Sequence, residues 1–187
     1  MNDREVAMLI QNTLDGDPAS FHPVVHEYTP ALFNLAFKMC GDAQETEDIV
    51  QETFFRAYRD LGRWNPEKRF FNWLYGICVN VSYSAGKRRS RVRRRETNLA
   101  ENAAPDTDPE SNPAASLDRK TAGRSVTRAL LRLPESLRAA LLLRYQEDLP
   151  VRDVAGSLGI GLSAAKMRIR RGLEALRTLI EDQEVRP

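Results

Sequence analysis

Residues Val151–Leu176 read VRDVAGSLGIGLSAAKMRIRRGLEAL. Val151, Val154, Ala155 and Leu158 recur at three- and four-residue spacing, so they share one face of a short helix. Gly159 closes that helix, a glycine-bearing turn follows, and Ser163 is the expected N-cap of a longer second helix. On the second helix Ala165, Ile169, Leu173 and Leu176 form one apolar stripe. Ala164, Met167, Arg168 and Arg171 point away from it, and Lys166 and Arg170 flank it. This is helix-turn-helix spacing. A slender, positive helix start with small residues fits the major groove, where arginines reach base edges or phosphates. Ser163, Ala164, Lys166, Met167, Arg168, Arg170 and Arg171 are therefore candidate contacts to duplex DNA. A solvated basic helix in a bundle would share the charge, but not the glycine turn or the small residues at the helix start.

Working outward, the pattern stays helical and shows no convincing strand. Helices resume at Leu117, and Pro134 opens another in LPESLRAALLLRYQE. Before them lies ETNLAENAAPDTDPESNPAAS (96–116), which has three prolines, several acids, no Lys or Arg and almost no large apolar residue. Such a stretch cannot bury enough surface to fold alone and is expected to be a flexible linker. The N-terminal part divides into four helices. DREVAMLIQNTL is short and amphipathic. Asp17-Pro18 opens a second helix to about Cys40, by the rule that pairs an N-cap with a first-turn proline. Gly41 breaks it, and Asp42 with Glu45 resembles a capping box for a third helix to about Leu61. After the loop GRWNPEK, a fourth helix runs from about Arg69 into a run of arginines. The expected fold is all-α: two small helical domains, 1–95 and 117–187, joined by the linker 96–116.

Two of the N-terminal helices carry more than core. The third buries Ile49, Val50, Phe54, Ala57 and Leu61 on one stripe. Its other side holds Asp48, Gln51, Glu52 and Arg59 around Phe55, an apolar anchor with a polar rim that suits a protein contact. The fourth contains RFFNWLYGICVNVSYSAGKRRSRVRRR (69–95), with five aromatic residues and no acid between Glu67 and Glu96. Phe70, Trp73, Leu74, Ile77, Val81 and Ala85 are assigned to the core. Asn72, Tyr75, Val79, Asn80 and Tyr83, then Lys87, are expected on the open face. Aromatics stack on exposed bases, amides bond base edges and cations neutralise phosphates.

The net charge of +2 over 187 residues says little alone. The clusters at 87–95 and 166–171 say more. Cys40 and Cys78 sit in apolar helical patterns and are expected to be reduced thiols of a cytoplasmic protein. No apolar run approaches the ~20 residues of a membrane span, and Met1–Leu14 lacks the basic start of a signal peptide. His22 and His26 are four apart, but Pro23 lies between them and no Cys or carboxylate pattern completes a metal site. No nucleophile–base pair or phosphate-binding glycine loop is present. The expectation is no enzyme, no metal and no cofactor.

Taken together, DAQETEDIVQETFFRAYRDLGRW, FFNWLYGICVNV, LLRLPESLRAALLLRYQEDLPVRDVAGSLGI and SAAKMRIRRGLEALR resemble regions 2 and 4 of an extracytoplasmic-function (ECF) sigma factor of bacterial RNA polymerase. DGDPASFHPVVHEYTPALFNLAFKMCGD is similar to region 2.1 of that family. The resemblance implies that Asp48, Gln51, Glu52, Phe55 and Arg59 dock on core polymerase, at the β′ clamp helices, with the β subunit a further partner. It implies that the segment from Trp64 to about Arg89, with Asn72, Tyr75, Asn80, Tyr83, Lys87, Arg88 and Arg89, takes the −10 promoter element as opened single strand. The helix-turn-helix would read the −35 element as duplex, and an anti-sigma factor would hold the protein inactive. Gly76 and Asn72 depart from the usual residues around WLY, as SAAK and Met167 do in the second domain. The alternative is a free-standing helix-turn-helix regulator, which leaves Phe55 and the acid-free aromatic segment unexplained.

Overall fold

A computed structural model describes residues 1–99 and 119–184, all of whose regular elements are helices. The first unit holds α1 (Asp3–Leu14), α2 (His22–Cys40), α3 (Ala43–Arg59) and α4 (Phe70–Leu99). The second holds α5 (Arg119–Arg132), α6 (Glu135–Leu141), α7 (Val151–Ser157) and α8 (Leu162–Glu184). The expected linker begins at 96, but 96–99 still belong to α4, and from 100 it lies outside the described residues. None of the described helices is long and apolar enough to cross a membrane.

Local chemistry sets most helix ends. Asn2 caps α1 through Glu5 N at 2.9 Å, and Glu5 returns the bond to Asn2 N at 2.9 Å. Asp17 and Pro18 open a short 3₁₀ turn, Pro18–Phe21, rather than α2 itself, which starts at His22. Gly41 ends α2 with φ of 78°, a left-handed position that suits glycine. A Cβ there would also meet the Leu131 side chain at 2.8 Å. Asp42 caps α3 through Glu45 N at 2.7 Å. The Glu45 carboxylate goes to Arg89 on α4, so only half of the expected box forms at this end. α3 stops at Arg59 and a 3₁₀ turn, Leu61–Arg63, carries the chain on.

Leu32, Leu35, Ile49 and Leu74 are fully buried where α2, α3 and α4 meet. Trp64 sets its edge against Phe70 at 5.5 Å and donates its indole N–H to Lys68 O at 3.1 Å, pinning the loop to the start of α4. Such aromatic pairs contribute about 0.5–1.5 kcal/mol beyond their buried area. In the second unit α6 gives way to a π-helical turn, Leu142–Gln146, where one unbroken helix was expected. That turn swings Glu147 out of the helix path, and Asp148 follows with φ of 49°.

The two units do not stand apart. Their apolar interiors form one continuous core, with α5 and α6 against α2 and with α7 against α4. Arg138, buried on α6, donates to Met39 O of the first unit and to Leu131 O and Leu133 O of its own, both at 2.9 Å.

Candidate nucleic-acid interface

The outer face of α3 is as its periodicity predicts. Ile49, Val50, Phe54, Ala57 and Leu61 are buried, while Asp48, Gln51 and Arg59 are exposed. Phe55 is 64% exposed. Glu52 is half-buried and pairs with Arg56 at 2.6 Å, and Arg59 pairs with Asp60 at 2.9 Å. Tyr58, one turn from Phe55, is also exposed, with its ring edge on Phe21 at 5.4 Å. The sequence reading missed it, although its spacing from Phe55 places both on one face. A phenylalanine and a tyrosine stand exposed inside a charged rim on this face.

α4 departs from expectation. Tyr75, assigned to the open face, is wholly buried, and so is Val79. Periodicity finds one buried stripe, but α4 is covered on two sides: by its own bundle and by the second unit. Tyr75 Oη donates to Glu147 Oε2 at 2.7 Å. Burial, and the hydrogen bond to that carboxylate, hold the Tyr75 phenol above its ordinary value, so it stays a neutral donor. Asn72, half-buried, donates from Nδ2 to Asp153 Oδ2 at 2.8 Å, while its buried Oδ1 finds no hydrogen-bond partner among the described residues. Ser157 Oγ donates to Asn72 O at 2.9 Å. Tyr83 is half-buried; burial pushes its phenol up to about 12, against the pull of Arg168. Asn80, Lys87, Arg88 and Arg89 are exposed, with Arg89 paired to Glu45.

Gly76 has a reason. It is buried against α7, and a Cβ at this position would stand 2.8 Å from Ser157 O. Helix and helix approach too closely for any side chain, which offsets the roughly 1 kcal/mol that glycine costs inside a helix. The close neighbour is the protein's own second unit.

On the helix-turn-helix, Gly159 takes φ of 61° and turns the chain between α7 and α8. Ser163 does not cap α8. The helix starts one residue earlier, at Leu162, and Ala165 N bonds Gly161 O at 3.0 Å. The buried stripe is also rotated from the expected one. Ala165 and Ile169 are buried, but the next inward residue is Gly172, against which Leu141 packs, and Leu173 is 42% exposed. Periodicity over-weighted the large leucine and passed over the glycine. Ser163, Ala164, Lys166, Met167, Arg170 and Arg171 are exposed, as a groove-entering face needs, and Arg170 lies 3.6 Å from Glu174. Arg168, expected on that face, is half-buried on the side toward Tyr83.

A helix-turn-helix with an exposed basic face, joined to a bundle with an exposed aromatic patch, is the arrangement of a DNA-reading transcription protein. Among the described residues no cluster of three His, Cys, Asp or Glu side chains could hold a metal. Profile matches place Sigma-70 region 2 at residues 24–92 and Sigma-70, region 4 at residues 123–176. The chain is 32% identical over 174 residues to the RNA polymerase sigma-H factor of Pseudomonas aeruginosa, covering 90% of each. It is 29% identical over 188 residues to the ECF RNA polymerase sigma factor SigW of Bacillus subtilis, covering 92% of this chain and 95% of that one. The fold is similar to that of CnrH, solved with the cytosolic domain of CnrY: TM-score 0.68, 21% identity, 97% of this chain and 99% of that chain covered. It is also similar to the sigma factor RpoE solved with the anti-sigma factor NepR from Bartonella quintana: TM-score 0.65, 23% identity, 86% and 96% covered. The chain belongs to the sigma-70 family of RNA polymerase sigma factors, in its ECF group. It is an alternative sigma factor, of a family that initiates transcription without catalysing a reaction.

Proposed function

We propose that the chain docks on core polymerase through the outer face of α3, holds the opened −10 strand along α4 and reads the −35 duplex with α8. On this reading residues 1–99, to the end of α4, are the polymerase-binding and −10 unit and 117–187 the −35 unit, with the stretch between them joining the two. The observation that carries it is the exposed part of α4. Asn80, Lys87 and Arg88 follow one another along a helix that has no acid before Glu96. An amide beside cations suits a base edge and its phosphates, and a carboxylate there would repel both. Arg170 and Arg171, with Ser163, Ala164 and Met167, suit the −35 groove. Phe55 and Tyr58, ringed by Asp48, Gln51, Glu52 and Arg59, suit the β′ clamp helices. The site lies in the cytoplasm with the polymerase. RpoE of Bartonella quintana was solved with an anti-sigma factor, and a partner of that kind is proposed here, covering the α3 face.

Asn80→Ala in the reconstituted holoenzyme tests the −10 assignment. Losing one base-edge contact lowers open-complex formation by about tenfold, read by permanganate reactivity of the melted strand. Undiminished opening removes Asn80 and the open face of α4 from the interface.

A further inference from the structure

The chain has two histidines in 187 residues, and they stand one helical turn apart on α2. In the sequence, Pro23 between them counts against a shared face. The structure removes that objection. His22 is already helical, with φ of −56° and ψ of −48°, and Pro23 sits in the first turn, where its missing N–H breaks no helical bond. Residues at i and i+4 of a helix have Cβ atoms about 5–6 Å apart on one side. His22 and His26 are both exposed and line one groove, whose other walls are Pro23, Val25, Thr29 and Pro30. Thr29 gives its hydroxyl proton to Val25 O at 2.7 Å. The imidazoles are the other polar side chains of the groove, with no lysine or arginine in the lining to repel a cation and no carboxylate to favour a hard one. The groove thus holds a pair of nitrogen ligands, not the three of a closed site.

A second observation falls on the same turn. Phe21, at the N-cap of α2, makes no side-chain hydrogen bond to the helix, unlike Asn2 on α1 and Asp42 on α3. The helix that packs against α3, α4 and α5 therefore starts without a side-chain cap. An ion held by residues 22 and 26 would tie that turn together from the side.

The geometry points to a two-imidazole site on the opening turns of α2 for a late first-row divalent cation, Cu²⁺, Ni²⁺ or Zn²⁺, which clamps a helix start that has no side-chain cap. Imidazole suits these ions, whereas Mg²⁺ and Ca²⁺ need oxygen ligands that the groove does not supply. Cu²⁺ should bind tightest of the three. Two protein ligands leave the other positions of the ion to water or to a ligand from outside. The second imidazole meets an ion already held by the first, which raises affinity about a hundredfold. The positive end of the helix dipole opposes a cation here by a factor of about five at most, so the chelate wins. Folded α2 sets the two rings side by side, so binding adds to the stability of the folded chain. No residue assigned to polymerase or to promoter DNA takes part, and the site stands or falls apart from those assignments.

Full-length protein without an affinity tag is titrated calorimetrically with CuCl₂, NiCl₂ and ZnCl₂ in chelator-free buffer, with MgCl₂ for comparison. His22→Gln and His26→Gln keep a polar side chain at exposed positions, and circular dichroism checks their helix content. The expected result is one Cu²⁺ per chain, with nitrogen hyperfine structure from two imidazoles in its electron paramagnetic resonance spectrum. Either variant should bind about a hundredfold more weakly. The wild type should melt at a higher temperature with the ion than without it, and the variants should not respond. Cys40→Ser should bind as the wild type does, which separates imidazole from thiolate. Four results would each overturn the proposal: wild-type affinity no better than that of either histidine variant, a spectrum without nitrogen coupling, binding lost in Cys40→Ser, or a wild-type melting temperature that ignores the ion.

Discussion

Single residues carry contrasting duties here. Gly76 looks like a defect in a helix until α7 is placed against it, because the cost of glycine is local while its benefit is a long-range approach. Cys78, fully buried, has its thiol pushed up to about 12 by loss of solvent and behaves as core. Phe55 is the reverse case, a large aromatic left mostly in water, while Tyr58 beside it keeps its ring edge on the core residue Phe21. Phe55→Ala should leave thermal stability within about 0.5 kcal/mol of wild type, and adding Tyr58→Ala should cost about 0.5–1.5 kcal/mol more through the lost contact with Phe21. The same pair should weaken core-polymerase binding by about 2 kcal/mol or more if the face is a docking hot spot. Pull-down and thermal melting on one preparation read both, and wild-type binding would move the docking site elsewhere.

At the scale of elements, α4 and α8 show what periodicity can and cannot see. Each has a helical repeat strong enough to place it, and each presents a face that the repeat alone assigns only in part. α8 turns on Gly172 rather than Leu173, because Leu141 needs the space a missing side chain leaves. That rotation leaves Arg171 fully outward and Arg168 half-buried toward Tyr83. The two arginines should then separate experimentally. Arg171→Ala should weaken holoenzyme binding at the −35 element and reduce the slope of log affinity against log salt by about one, the signature of one lost phosphate contact. Arg168→Ala should change that slope less. Equal slopes for Arg171→Ala and wild type would place Arg171 off the backbone.

Across the whole molecule, the shared core ties the two units into one compact body. Arg138 is the clearest tie, its guanidinium serving carbonyls on both sides. Arg138→Ala leaves these acceptors without a donor inside the core, a cost of about 3 kcal/mol. At roughly 2–4 °C per kcal/mol for a chain of this size, the melting temperature should fall by about 6–12 °C. Arg138→Lys should restore little of it, since a single ammonium cannot spread across the three carbonyls as a planar fork does. A melting temperature unchanged by either substitution would mean that the units are not joined through Arg138 in solution.

The all-helical class, the buried stripe of α3, the glycine turn between α7 and α8 and the family were legible from the chain itself. The first three follow from residues close in sequence, where a 3.6-residue period and local capping decide the outcome; the family was legible through the resemblance of whole motifs. The helix caps were partly legible. Asp42 and Gly41 behave as their types require, whereas Ser163 is not a cap because the helix already starts at Leu162, with Gly161 O taking the Ala165 N–H. Only the tertiary structure decided the surroundings of Tyr75, Asn72 and Gly76. Their partners Glu147, Asp153 and Ser157 lie more than seventy residues away across a proline-rich linker. No local pattern marks Glu147 or Asp153 as anything but surface acids. A helical repeat records which side of a helix is apolar, but it cannot say how many bodies come to rest on that helix.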